Sequence, residues 1–272
     1  MSKICDCVFP VAGLGTRFLP ASKATPKELF PVGNLPLIHY AVEEANHSDI
    51  LNMHLVINKH KLALKEYFDL NHNIHEIFKN RNKTNIGLEK LERLIQKCNF
   101  SYSYQNVPLG LGSAILEAEK HIAGDYFSVI LPDDLCINND APVLKQMINL
   151  SEKYPKKCIL AIEEIDIDDS NKYGIVDIKN EIENNVYEVA DLIEKPEADK
   201  SPSNFAIIGR YILTSNIFEF IKATDTDSNG EIQLTDALKG LAKQGSVLAY
   251  KFSGKRYDCG TKKGWIEANN LT

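Results

Sequence analysis

The first residues able to do chemistry lie near the start of the chain. Ala12-Gly13-Leu14-Gly15-Thr16-Arg17 is followed by Pro26-Lys27-Glu28, directly after an apolar run at residues 8–11. Glycine has no Cβ, so a backbone built on Gly13 and Gly15 can turn sharply and bring its N–H groups against an anion. Thr16 adds a hydroxyl donor, Arg17 a planar fork that matches phosphate oxygens, and Lys27 a compact point charge. Pro20, Pro26 and Pro31 fix φ at three places and stiffen the segment. An ordinary strand-to-loop turn would need only the glycines. The added Thr16, Arg17 and Lys27 point to a loop that holds the triphosphate of a nucleotide. It is not a Walker A loop, which ends in Gly-Lys-Ser/Thr, nor the dinucleotide fingerprint, whose third glycine position is Phe18 here.

Three further groups carry polar chemistry. A strongly apolar run at 126–131 leads into Pro132-Asp133-Asp134. A carboxylate at the carboxyl end of a central strand suits Mg²⁺, which takes one or two protein carboxylates and completes its shell with water and phosphate oxygens. Leu109-Gly110-Leu111-Gly112-Ser113 is a second strand–glycine loop–helix junction. Glu194-Lys195-Pro196 and Asp258-Cys259-Gly260 close later strands. On residues alone, Glu194-Lys195 also reads as an exposed ion pair, Asp258 as a turn aspartate, and Gln105 as a surface glutamine at a strand end.

These groups need a scaffold that brings strand ends together. Strand patterns at 3–11, 53–57, 100–105, 126–131 and 158–162 alternate with helical periodicity at 36–48, 61–68, 87–97, 114–123 and 141–154, which implies βαβ units and right-handed crossovers. Open α/β sheets bind ligands at the carboxyl ends of their strands, so the two glycine loops would frame one crevice. Residues 172–176, 186–193 and 203–213 read as antiparallel strands, a β-rich insertion beside that crevice. Helices are expected at 214–223, capped by Thr214 or Ser215, at 229–243 and at 264–270, with a strand at 247–252. The Asn-rich stretch 69–86 reads as loop with a helical turn. The expected fold class is α/β: a Rossmann-like, mixed but mostly parallel sheet flanked by helices. The expected organisation is one domain over 1–272, with a nucleotide-binding half to about 165, a sugar-phosphate part at about 166–260, and a C-terminal helix at 261–272.

Composition bounds the partners. The 272 residues are 44% hydrophobic and 25% charged, with a net charge of −6, enough for a sizeable core and acidic enough to argue against nucleic acid or an anionic membrane surface. No apolar run reaches the length of a membrane span, and no secretory signal is visible at the start, so cytoplasmic residence is expected. The six cysteines contain no Cys-x-x-Cys pair and read as free thiols rather than disulfides or a zinc site.

Gly-x-Gly-Thr-Arg followed by Pro-Lys resembles the signature of the sugar-nucleotide pyrophosphorylases, and the whole chain to about Asn269 is similar to their bacterial UTP–glucose-1-phosphate uridylyltransferases. Glu194-Lys195-Pro196, the stretch Asn204 to Tyr211 and Glu231-Ile232-Gln233-Leu234-Thr235-Asp236 carry the resemblance further. It implies synthesis of UDP-glucose and pyrophosphate from UTP and glucose 1-phosphate, with Mg²⁺ as cofactor. It implies catalytic roles for Arg17, Lys27 and Lys195. Nucleotide contacts would come from Ala12, Gly13, Gly15, Thr16, Glu28, Gln105, Gly110 and Gly112, with Gln105 and the Ala12, Gly13 and Gly110 backbones at the uracil. Gly174 and Glu194 would hold the glucose, and Asp133 and Asp258 the metal, with Asp134 a turn neighbour. A homodimer or homotetramer is the family expectation. Gly33-Asn34 departs from the usual Asp-Lys pair, residues 69–86 match weakly, and the last helix is short.

In-line attack of a sugar phosphate on an α-phosphorus needs no Ser or Cys nucleophile with a histidine base. In keeping with that, none of the seven histidines (His39, His47, His54, His60, His72, His75, His121) falls in a motif. Three other readings compete. A thymidylyl- or cytidylyltransferase acting on a hexose 1-phosphate would differ in the base pocket. A metal-dependent glycosyltransferase would explain Asp133-Asp134 but not Arg17 and Lys27. A non-catalytic nucleotide-sugar-binding subunit would not need all five charged positions, Arg17, Lys27, Asp133, Lys195 and Asp258.

Overall fold

A computed structural model describes residues 3–71, 73–81 and 85–270, apart from the side chains of His75 and Lys79. His72 and the last two residues of the expected C-terminal segment 261–272 lie outside the described residues. In chain order the strands are β1 (Asp6–Pro10), β2 (Pro31–Val32), β3 (Leu35–Pro36), β4 (Asn52–Ile57), β5 (Asn99–Tyr104), β6 (Tyr126–Ile130), β7 (Asp134–Ile137), β8 (Cys158–Glu164), β9 (Gly174–Glu183), β10 (Val186–Glu194), β11 (Phe205–Thr214), β12 (Val247–Lys251) and β13 (Lys255–Asp258). The helices are α1 (Leu37–His47), α2 (Ala63–Tyr67), α3 (Asn73–Asn80), α4 (Ile86–Lys97), α5 (Gly110–Leu116), α6 (Val143–Lys153), α7 (Ile217–Ala223), α8 (Leu234–Lys243) and α9 (Lys262–Asn269). No described helix is long and apolar enough to cross a membrane.

Nine strands form one sheet in the order β5-β4-β1-β6-β11-β8-β12-β10-β9. The first four are mutually parallel, as expected of βαβ units. The sheet as a whole is mixed, with β10 and β11 running against the other strands. β11 runs antiparallel to both β6 and β8, and the β9–β10 hairpin joins β12 antiparallel. The insertion therefore continues the main sheet, and its β9 curls back to pair Ile175 with Ala206 of β11.

Alternation along each strand builds a core on both faces. Phe9, Met53, Leu55, Ile130 and Ile159 face α1, α4 and α6. Val8, Val56, Phe127, Val129 and Leu160 face α5, α7 and α8. Fully burying each such side chain contributes about 1.5–3 kcal/mol, so the sheet's central strands are rigid supports for whatever projects from their ends.

Local chemistry sets several boundaries differently from the periodic pattern. The glycine stretch 110–112 is the first turn of α5 rather than a loop before it. The expected helix at 229–243 starts only at Leu234, because residues 227–233 fold as a loop around Asp227, whose Oδ1 accepts from the N–H groups of Asn229 and Glu231. α7 begins after Asn216, with no side-chain cap from Thr214 or Ser215. α3 occupies part of the Asn-rich stretch, and Asn85 caps α4 by accepting from Leu88 N–H at 3.0 Å. Gly33, at φ +58°, turns the β2–β3 hairpin.

Candidate active site

β1 ends where Val11 N–H bonds Val56 carbonyl at 2.9 Å, and the next residues leave the sheet. Asn58, buried after β4, donates its side-chain amide to the Ala12 carbonyl. Gly15 takes φ +65° and opens a 3₁₀ turn over Thr16–Phe18; Ser22 Oγ fixes its carbonyl at 2.7 Å. A second such turn covers Ala21–Lys23, and Pro26, at φ −51°, starts a third over Lys27–Leu29. The loop is anchored from the far end of the chain. Phe18 and Phe30 meet edge to face at 5.1 Å, Trp265 of α9 packs against both, and its indole N–H donates to Pro31 carbonyl at 2.9 Å.

Two clefts open along this loop. One, of about 400 Å³, is lined by Ala12, Gly13, Gly15, Thr16, Gln105 and Gly110. The other, of about 300 Å³, is lined by Arg17, Asp133, Gly174, Glu194, Lys195 and Asp258. Leu111 and Glu231 line both, so the two are one crevice. The expected site residues thus gather at adjoining surfaces, with three exceptions. Lys27 lines neither cleft and reaches the site through its ion pair with Asp133. Glu28 is 2% exposed and receives Lys61 Nζ at 2.7 and 2.9 Å, beneath the loop and away from either cleft. Gly112 lines neither; a Cβ there would sit 2.8 Å from Ile232 carbonyl, so its lack of a side chain is a packing requirement. Gly13 is the opposite case: a Cβ would meet nothing within 4 Å.

The charged centre forms around Gly260. A Cβ built there would lie 2.9 Å from Asp133 Oδ2, 3.0 Å from Asp258 Oδ1 and 3.6 Å from Arg17 Nη1. The two carboxylate oxygens are therefore less than about 6 Å apart. Asp133 is placed by the end of β6 and by Cys259 N–H, which bonds its carbonyl at 2.7 Å. Asp258 is placed by the β7–β13 pair, whose register sets it opposite Asp134. Lys27 forms an ion pair with Asp133. Burial opposes the charge on Asp133, but Lys27 and Arg17 outweigh it and hold the carboxyl below the usual aspartate range. Burial likewise disfavours the Lys27 ammonium, and Asp133 and Glu28 reverse this, keeping it protonated. At Asp258, burial and repulsion from Asp134 and Asp133 act together and push its pKa up.

In the second cleft, Gly174 and Glu194 are directly opposite in the β9–β10 ladder. Thr235 Oγ1 donates to Glu194 Oε2 at 2.7 Å. A Cβ on Gly174 would strike that hydroxyl at 2.9 Å, so glycine is required there. Lys195 adopts φ +45°, a left-handed conformation that costs a non-glycine residue about 1 kcal/mol or more. Its N–H bonds Tyr173 carbonyl at 2.9 Å, and its ammonium stands 3.2 Å from Glu194 Oε1. In the first cleft, Gln105 is buried and its amide donates to Gly110 carbonyl at 3.1 Å.

Asp134 also lines the deeper cleft, but its carboxylate is taken up by the protein. Its Oδ2 accepts from Gly209 N–H at 2.7 Å and its Oδ1 from Arg256 Nε at 2.6 Å. Sequence reasoning did not single out Lys61, Arg256 or Gly260 for the site. Only the motif Arg256 to Gly260 offered a signal, and it was read for Asp258 alone. Thr235 and Glu231 sit in the stretch Glu231 to Asp236, which carries the resemblance without a role assigned to either residue.

The nucleotidyl transferase family model matches residues 10–272. A UTP–glucose-1-phosphate uridylyltransferase of Pseudomonas aeruginosa is 46% identical over 270 residues, 98% of this chain and 95% of that protein. A second enzyme of this description, from Staphylococcus saprophyticus, is 40% identical over 98% of this chain and 91% of its own. The crystal structure of a UDP-glucose pyrophosphorylase complexed with UDP-glucose superposes with a TM-score of 0.90 at 46% identity, covering 98% of each chain. A UTP-bound enzyme from Acinetobacter baumannii superposes with a TM-score of 0.86 at 33% identity, covering 98% of this chain and 93% of that one.

Proposed function

The chain belongs to the nucleotidyl transferase family, among its bacterial UTP–glucose-1-phosphate uridylyltransferases, and on that premise we propose that the crevice makes UDP-glucose and pyrophosphate from UTP and glucose 1-phosphate. The observation that carries the reading is the gathering of Arg17, Asp133 and Asp258 around Gly260, with Lys27 on Asp133, at the edge of a cleft that also holds Glu194 and Lys195. Two anions must meet in this reaction, so positioning and charge neutralisation carry it. An oxygen of the sugar phosphate attacks the α-phosphorus in line, and the bond to the bridging oxygen breaks as pyrophosphate departs with its electron pair.

In this reading the uracil lies against Gln105 and the Ala12, Gly13 and Gly110 backbones. Gly15 and Thr16 face the phosphates. Arg17 and Lys27 neutralise the departing pyrophosphate, and Lys195 holds the attacking phosphate. Glu194, oriented by Thr235, accepts from glucose hydroxyls above Gly174. Glu28 acts from beneath, through its buried pair with Lys61.

Asp133 and Asp258 fit a Mg²⁺ ion: two carboxylates flank one point at the phosphate site, the oxygen donor set that ion takes. When bound, it would supply charge neutralisation on phosphate oxygens. Among the described residues no group of three or more His, Cys, Asp or Glu could hold a metal, so substrate and water oxygens would complete its shell.

Incubating the purified protein with glucose 1-phosphate and UTP, dTTP or CTP, and measuring pyrophosphate, tests the reading. Release with UTP at the highest kcat/KM is expected; preference for dTTP or CTP, or no release at all, overturns it. Assembly as a homodimer or homotetramer belongs to the same reading and is checked by size-exclusion chromatography with light scattering. So does cytoplasmic residence, which the six free cysteines support.

A further inference from the structure

A nucleotide with its base at Gln105 and its phosphates at Arg17 and Asp133 must cross from one cleft to the other, and the group that crosses is the ribose. Only Leu111 and Glu231 line both clefts among the described residues. Glu231 is the polar one of the two. A carboxylate is the wrong group to meet phosphates and the right one to accept from sugar hydroxyls.

The loop that carries Glu231 is fastened on both sides. Its N–H donates to Asp227 Oδ1 at 2.9 Å, and its carbonyl accepts from Asp227 N–H at 2.8 Å. Ile232 N–H then bonds Leu109 carbonyl at 2.8 Å, and Ile232 carbonyl accepts from Gly112 N–H at 2.9 Å. Gly110, at φ +89°, lets the two segments approach, since a Cβ there would stand 2.9 Å from Glu231 Cβ. Gln233 Nε2 donates to Glu231 Oε2 at 3.1 Å and orients the carboxylate. Among the described residues Oε1 has no hydrogen-bond partner and no Lys or Arg pairs with the group.

We propose that Glu231 is a specificity-determining residue: its carboxylate accepts a hydrogen bond from the 2′-hydroxyl of the bound nucleotide and sets a preference for ribonucleotides over 2′-deoxyribonucleotides. The inference rests on the reading of the crevice as the UTP site. The hexose does not need this group, because Glu194 already faces it from the deeper cleft in that reading.

The test is steady-state kinetics at saturating glucose 1-phosphate with UTP and with 2′-deoxy-UTP. The wild-type protein is expected to favour UTP by about 10- to 100-fold in kcat/KM, the effect of one hydrogen bond to a charged group. Glu231→Ala should lower kcat/KM for UTP to near the 2′-deoxy-UTP value while leaving the latter unchanged. Glu231→Gln, which keeps the shape and an uncharged acceptor, should fall between them. It also carries the test if the alanine variant fails to fold. Equal loss with both nucleotides overturns the proposal, as does a wild-type protein indifferent to the 2′-hydroxyl. An unchanged nucleotide ratio with a raised KM for glucose 1-phosphate overturns it in favour of a hexose contact. Absence of wild-type turnover with UTP would overturn the functional reading instead.

Discussion

Asp133 and Asp134 are neighbours in sequence and belong to two different regions. Asp133 faces the crevice, where it shares a half-open cluster with Lys27, Arg17 and Asp258. Asp134 also reaches the cleft wall, but its carboxylate belongs to a closed cluster. There it accepts from Arg256 and from Gly209 N–H, and its own carbonyl accepts from Arg210 at 2.8 Å. Arg210 is 1% exposed, forks onto Glu44 and also caps the carbonyls of Leu131 and Gly209. Both regions are built of buried or half-buried ion pairs, yet only the second has its polar atoms consumed by the protein itself. Charge left with unspent capacity at a strand end is available to a ligand; charge fully enclosed is a strut.

That contrast can be broken by substitution. In the open cluster, Asp133→Ala should cost at least about 10³ in kcat/KM, a little more than one lost charge-stabilising donor, and remove Mg²⁺ dependence. Its melting temperature should stay near wild type. Metal-dependent turnover in this variant would move the metal site elsewhere. In the closed cluster the signs invert: Arg210→Met leaves the buried Glu44 without its counter-charge, only Leu144 N–H among the described residues still donating to it, and should lose about 3–5 kcal/mol of stability, seen as a lower urea midpoint. An unchanged midpoint would show that the enclosed region is not a strut.

Arg17→Ala and Lys195→Ala should each lose about 10²–10³ in kcat/KM at unchanged stability; wild-type turnover in Arg17→Ala would remove the loop from the chemistry. The smallest effect concerns Glu163, which pairs with Arg256 at the border of the closed cluster. Burial raises its pKa above 4.5, and Arg256 offsets this only in part. The folded state therefore holds its proton more tightly than the unfolded chain, and the residue's contribution to stability is full below pH 4.5 and lost as pH rises through the folded value. Glu163→Gln should leave stability unchanged or slightly higher at pH 7, with any gain vanishing below pH 4.5. A large loss at pH 7 would place Glu163 among the struts.

Much of the candidate site is legible because its proposed chemistry is carried by short motifs. Gly15, Thr16, Arg17 and Lys27 announce an anion loop by residue type alone, and Asp133 follows an unmistakable buried strand. The glycines show where such reading stops. Gly13 and Gly112 look alike in sequence, yet the first faces open cleft and the second is forced by contact with Ile232. Glu28 stood in a motif beside Lys27, and only its pairing with Lys61 distinguishes a brace from a ligand contact. The direction of β11 was equally hidden: an apolar ten-residue strand, Phe205–Thr214, reads the same run either way, and its antiparallel placement between β6 and β8 makes the sheet mixed.

By itself the sequence determined the alternation of strands and helices, because apolar periodicity follows from which faces must be buried. It also determined the supply of cationic and carboxylate groups, because these are properties of residue types. The tertiary structure decided the rest. It set which of two adjacent acids keeps its carboxylate in the open cluster and which is tied to Arg256 and Gly209, through partners that only the folded chain supplies. It brought Asp258 opposite Asp134 through the register of β7 and β13. It placed Trp265 against Phe18 and Phe30, so that the last helix holds the first loop. Each of these joins residues far apart in the chain, and no local preference encodes such a distance; it exists only once the strands have paired.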